Sequence, residues 1–173
     1  MKTILIFAFV ILFVSHSVAQ SSETDSISKS KVSQLEFMVG NWQGTGWMMG
    51  RDGAKSKFDQ TEKIQFKLDS TMILVEGMGK SGGKIVHNAL AIITYNKEED
   101  KFAFRSYMQN GQSGEFPAEM IDGKLHWYPN PNVRYIIWTN ENKQWYETGE
   151  FKRGEKWSQF FEMTLEKINS GHL

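Results

Sequence analysis

Along most of the chain, apolar and polar residues alternate over short stretches, and the alternation breaks at turn-forming residues roughly every ten positions. A period of two puts successive side chains on opposite faces of a β-strand. The stretches predict strands at Trp42–Met49, Phe58–Leu68, Thr71–Met78, Ile85–Tyr95, Lys101–Gln109, Ser113–Met120, Lys124–Tyr128, Val133–Thr139, Gln144–Phe151 and Lys156–Ile168. Between them stand Asp52-Gly53, Asp69-Ser70, Gly82-Gly83, Asn110-Gly111, Asp122-Gly123 and Arg153-Gly154. Glycine accepts a positive φ and Asx residues bond their own backbone, so these pairs make tight turns.

Turns that short pair each strand with the next in antiparallel fashion, and no gap holds the helix of about a dozen residues that a parallel crossover needs. Strands joined in sequence leave two raw edges unless the sheet closes on itself. The expected fold is therefore all-β, an up-and-down antiparallel barrel of about ten strands. A two-sheet sandwich has the same periodicity and is the alternative.

The ends of the chain follow other rules. Met1-Lys2, the apolar run from Ile4 to Val14 and the small residues of Ser17-Val18-Ala19 form a signal-peptide pattern with cleavage after Ala19. The apolar run is about half the roughly 20 residues a membrane span needs. Residues 20–31 carry almost nothing apolar and are expected to be a flexible leader. Val32, Leu35, Phe37, Met38 and Val39 then make a short amphipathic helix that stops at Gly40. The expected organisation is a signal peptide (1–19), the leader (20–31), the barrel (32–169) and a short tail (170–173). The expected location is periplasmic or secreted, with no membrane-spanning segment after cleavage.

Composition narrows the function classes. Lys plus Arg number 20 and Asp plus Glu number 20, which leaves no basic excess to meet nucleic-acid phosphates. There is no cysteine, hence no disulfide, no thiolate metal site and no cysteine for a lipid anchor. The 6 Trp, 5 Tyr and 12 Phe suit either the filling of a closed sheet or the lining of a ligand cavity. No nucleophile-elbow, zinc or phosphate-loop spacing occurs, and Gly77-Met78-Gly79 opens no helix. Oligomeric state leaves no mark in the sequence.

The run Leu35-Glu36-Phe37-Met38-Val39-Gly40-Asn41-Trp42-Gln43-Gly44-Thr45-Gly46-Trp47 combines a short apolar turn, Gly-x-Trp opening a strand, and two glycines at alternate positions. It resembles the start of lipocalin-like (calycin) barrels. The Gly-x-Trp-x-Gly-x-Gly extension looks like exported bacterial small barrels of unknown function and, more distantly, nitrobindin-like haem barrels. The stretch Trp145-Tyr146-Glu147-Thr148-Gly149-Glu150, with Trp157 and Phe161 to Lys167, is similar to the closing hairpin of those exported barrels. The resemblance spans Leu35 to Lys167. It implies a short helix closing one end of the barrel with Trp42 as its plug. In physical terms, Gly40 permits the sharp exit from the helix, and Gly44 and Gly46 remove side chains where the strand bends or another backbone comes close.

Charged residues sharing parity with apolar neighbours are candidates for the interior. Glu76 lies with Met72, Leu74 and Met78, Arg134 with Ile136 and Trp138, and Glu147 with Trp145, Gly149 and Phe151. These three are expected to converge, because a buried charge needs a partner. Trp138 and Trp145 are the expected apolar lining. Arg105 and Glu162 are further candidates whose parity also allows an outward position. Of the histidines beyond the signal peptide, His87 shares parity with Ile85, Ala89, Ala91 and Ile93, His126 alternates against Leu125 and Trp127, and His172 is almost terminal. The likeness to haem barrels implies an inward histidine on the iron, and only His87 is placed for it. The alternative is a hydrogen-bonded core histidine. No other cofactor or metal is expected.

These readings lead to one expected function: binding, outside the cytoplasm, of a small hydrophobic or amphipathic molecule in the barrel without chemistry. The alternatives are a barrel enzyme using a Glu/Arg cluster for proton transfer, a haem-binding barrel, and a filled barrel serving as a structural or interaction module.

Overall fold

A computed structural model of the chain describes residues 23–169. The signal peptide, the first residues of the leader, the tail and His172 lie outside the described residues. Strands β1 (Gly40–Met49), β2 (Lys55–Lys67), β3 (Met72–Ser81), β4 (Lys84–Asn96), β5 (Lys101–Met108), β6 (Ser113–Ile121), β7 (Lys124–Asn130), β8 (Val133–Thr139), β9 (Trp145–Arg153) and β10 (Lys156–Ile168) form one antiparallel sheet. Each strand pairs with its neighbours in sequence, and β1 pairs with β10, so the sheet is a closed barrel. Closure excludes the sandwich alternative. The register shifts at three places: between Gly79 and Lys80, between Trp127 and Asn130, and between Gln159 and Phe161.

The seam between β1 and β10 depends on glycine. A Cβ on Gly44 would lie 2.2 Å from the Thr164 carbonyl oxygen, and one on Gly46 would lie 2.4 Å from Cζ of Phe58. Gly40 has φ +145°, a backbone state that favours glycine, and turns the chain into β1.

Two short helices precede the barrel: α1 (Ser26–Val32) and a 3-10 helix (Ser33–Met38). Helix therefore begins inside the segment expected to be flexible. The Asp25 carboxylate accepts from the Ile27 and Ser28 amides and caps α1. Ion pairs tie this end to the barrel: Lys29 to Asp69 at 3.0 Å, Lys31 to Asp100 at 2.8 Å, and Lys97 to Asp25 at 2.8 Å. Hydropathy missed the helix because turn acids of the barrel anchor it, with Val32 the one apolar side chain it buries.

The helices close one end of the barrel. Val32, Leu35 and Met38 are fully buried in one cluster with Trp42, Ile64, Ile73, Ile93, Leu125, Ile137, Trp145 and Leu165. The Trp42 indole donates to the Met38 carbonyl at 2.8 Å, and its ring meets Trp145 edge-on at 6.0 Å. Its polar atom is thus satisfied while the ring fills the floor. The other end carries the β1–β2, β3–β4, β5–β6, β7–β8 and β9–β10 turns, and among the described residues no helix crosses it.

Candidate functional site

Above the floor the interior changes character. On β2, Phe58, Gln60, Glu62 and Ile64 share the inner parity, and both Gln60 and Glu62 are buried. Opposite them, β3 supplies glycine: a Cβ on Gly77 would fall 2.7 Å from Oε1 of Glu62, and one on Gly79 2.6 Å from Oε1 of Gln60. The missing side chains of β3 are the space into which the polar groups of β2 fold. On β9, Trp145, Glu147 and Gly149 face inward, and Glu147 is 7% exposed.

Two acids thus lie buried in one barrel. Gln60 Nε2 donates to Glu62 Oε1 at 2.6 Å, while Glu62 Oε2 has no hydrogen-bond partner. Glu147 receives only a long bond, 3.4 Å, from the Trp145 indole. Among the described residues no Lys or Arg is buried. Desolvation raises Glu62 to about 7, against the opposing bond from Gln60. Desolvation and then the charge of Glu62 raise Glu147 to about 8, against the opposing indoles of Trp145 and Trp127. The Trp127 N–H comes near enough to favour the Glu147 carboxylate yet makes no hydrogen bond of normal geometry. Near neutral pH the pair therefore retains a proton, chiefly on Glu147, which is how the barrel tolerates acids without a counter-charge.

Aromatic rings wall this chamber. Trp127 lies parallel between Phe104 (4.6 Å) and Tyr135 (4.5 Å), Tyr135 meets Phe161 edge-on at 5.6 Å, and Phe161 stacks on Phe58 at 5.7 Å. Burial, and then the charge of Glu147, push the Tyr135 hydroxyl upward. His87 stands across the ladder from Gly79, and burial lowers its pKa, favouring the neutral ring.

Of the residues singled out in the sequence, Glu147, Trp145 and His87 face inward. Glu76, Arg134, Trp138, Arg105 and Glu162 do not. Glu76 is half-exposed and pairs with Lys63 at 3.5 Å. Arg134 binds Glu150 at 2.6 Å and covers the Trp157 ring at 4.3 Å on the outer surface. Trp138 also lies outside, against Tyr146 at 4.7 Å and beneath the Lys124 ammonium at 4.1 Å. Arg105 bridges Glu115 and Thr94. Glu162 lines a groove of about 460 Å³ with Trp47, Lys57, Asp59 and Lys80. Partial burial pushes Glu162 up, but bonds from Tyr146, Gln159 and Trp47 and the charge of Lys55 hold it below the usual carboxylate range.

The expected Glu76–Arg134–Glu147 cluster therefore does not form. On β3 both parities are apolar, and the inner one, Ile73, Val75, Gly77 and Gly79, is disguised by its glycines. On β8 the inner set is Tyr135 and Ile137, and the large outer ring of Trp138 gave the opposite impression. Glu62 and Gln60 were missed although their signal was present. They sit between Phe58 and Ile64 on one parity of β2, whereas Asp59, Thr61, Lys63 and Gln65 occupy the other.

No family model matches this chain, and no curated protein does. Its likeness is to solved structures. One is Rv2717c from M. tuberculosis, with TM-score 0.57, 7% identity, and coverage of 80% of this chain and 97% of that one. Another is the S-type phycobiliprotein lyase CPES from Guillardia theta, with TM-score 0.55, 15% identity, and coverage of 86% and 99%. At such identities the likeness concerns the fold, a ten-stranded barrel of the calycin, lipocalin-like kind.

Proposed function

We propose that the protein holds a small, mainly apolar molecule inside its barrel, outside the cytoplasm, and performs no chemistry on it. The observation that carries this reading is the pair of buried carboxylates, Glu62 and Glu147, set among aromatic rings without a buried cation. Burying such groups costs stability, and a fold that needed only a core would fill the space with apolar side chains. The barrel likeness to the phycobiliprotein lyase is consistent with a small molecule in the interior. The end away from the helices is the way in. Ile85, Val86 and Tyr107, exposed at 47%, 57% and 48%, lie on the strands leading to its turns.

The test is native mass spectrometry of the protein recovered from its own host. An added organic mass that denaturation releases supports the reading, and intact mass of the same sample reports whether the chain begins near Gln20. Protein recovered bare, and remaining bare after incubation with a total lipid extract, would overturn it. An added haem mass with a Soret band would assign His87 as the iron ligand, because burial keeps its inward-facing ring neutral. A second reading, proton transfer, rests on the same carboxylates, since acids raised toward neutrality suit general acid-base work. It requires that the released molecule be recovered chemically altered.

A further inference from the structure

The polar atoms of the chamber are unequally divided between donors and acceptors. Once ionised, Glu62 and Glu147 only accept, as does the amide oxygen of Gln60. The Gln60 amide N–H already serves Glu62, the Trp145 indole serves Glu147, and the Trp127 N–H, itself without a partner, lies toward Glu147 and not Glu62. Glu62 is nine-tenths buried, and its Oε2 has no partner at all. A molecule reaching this part of the interior meets the donor-less Oε2 of Glu62 and, among the described residues, no buried Lys or Arg. Among the described residues no group of three or more His, Cys, Asp or Glu is arranged to hold a metal ion. The donor that fits is therefore organic. An acidic head group would face two carboxyls and no cation.

We propose that the ligand docks through a protonated amine, with its nitrogen between Glu62 and Glu147 and its apolar body along Tyr135, Phe161 and Phe58. This rests on the binding function proposed above and adds the chemical class of the ligand. Charge-assisted bonds from an ammonium to buried carboxylates are the strong kind, and they satisfy the orphan oxygen of Glu62. Gly77 and Gly79 fit the same purpose, since any larger residue there would press on the side chains that make the acceptor set.

The proposal fixes how binding varies with pH. In the free protein the pair retains a proton near neutrality, and an ammonium must displace it, so affinity rises as pH increases through 7 to 8. The other titratable groups facing the chamber are His87 from β4 and Tyr135 from β8. Burial keeps His87 neutral, and Tyr135 keeps its proton. β1 and β3 contribute glycines there, β5 and β10 contribute Phe104, Phe161 and Met163, and β7 contributes the Trp127 indole, none of which titrates.

Octylamine, octanol and octanoic acid share one apolar body and differ in the head group, so they are the probes. Isothermal titration at pH about 6 and about 8 should show octylamine binding about tenfold tighter at the higher pH, and about tenfold tighter there than octanol. Octanoic acid should bind weakest at the higher pH. Glu147→Gln and Glu62→Gln, checked for folding by near-ultraviolet circular dichroism, should each lose the advantage of amine over alcohol while still binding octanol. Octanol or octanoic acid binding as tightly as octylamine at the higher pH would overturn the amine assignment and leave barrel binding standing. If none of the three binds, the amine assignment fails, and the binding reading stands or falls on native mass spectrometry.

Discussion

The two halves of the barrel interior bury different kinds of side chain. At the helix-capped floor, Val32, Leu35, Met38, Trp42, Ile73, Leu125 and Leu165 are apolar, or, like Trp42, have their one polar atom bonded. In the chamber above, Glu62 and Glu147 are buried almost as completely, yet one carboxylate oxygen has no partner and the other acid has a single long bond. Packing of the first kind stabilises the fold. Packing of the second kind works against it and persists only under some other demand. The floor and the chamber thus separate packing that stabilises the fold from packing that costs it.

The floor should be the most sensitive to truncation. Trp42→Ala removes the ring that plugs it and is expected to cost about 3–5 kcal/mol in urea unfolding. A loss below about 1 kcal/mol would place the stability of the barrel elsewhere.

The chamber should respond to pH in the opposite sense to most carboxylates. Because folding raises Glu62 and Glu147 from 4.5 to about 7 and about 8, the folded state retains protons that the unfolded chain releases. Their stabilising contribution is complete below pH about 4.5 and is lost as pH rises to about 8, a loss of roughly 3–5 kcal/mol for each acid. Urea midpoints measured across that range should fall, and Glu147→Gln should flatten the slope and exceed the wild-type midpoint in alkali. A wild-type profile that is flat there would mean the acids are hydrated rather than buried.

Gly77→Ala sharpens the contrast within one strand, since its methyl group would land 2.7 Å from Glu62 Oε1. Forcing that carboxyl aside should cost about 1–3 kcal/mol. The cost should shrink when Glu62→Ala is combined with it, and an unchanged cost in the double variant would place the strain elsewhere. Smallest of all, Arg134→Met removes an outer ion pair with Glu150 and should cost under about 1 kcal/mol without changing the binding of octylamine. A large effect on binding would return Arg134 to the site.

The strand plan was legible because turn residues and alternation act locally. The lengths of β8 and β10 agree with their sequence bounds, and Asp122-Gly123 and Gly82-Gly83 lie in turns. Which face of a strand turns inward was less legible. A strand such as β3, apolar on both parities, shows its orientation only through what β2 places against it. Glu147 was readable because Trp145 and Gly149 flank it on its own parity. Glu62 needed a comparison of both faces of β2, and the pairing of acid with acid instead of acid with arginine could not be read from any single strand. The start of α1 was hidden for a related reason, since its anchors are acids on distant turns.

The closure of the sheet also sets how far along the chain its contacts must reach. Every pairing except one joins strands adjacent in sequence and can form as a hairpin on its own. The β1–β10 contact, with Gly44 opposite Leu165, joins the two ends of the domain and closes the longest loop of any pairing in the barrel. That closure carries the largest chain-entropy cost in the sheet, and it falls where β1 presents glycines instead of bulky side chains to its partner.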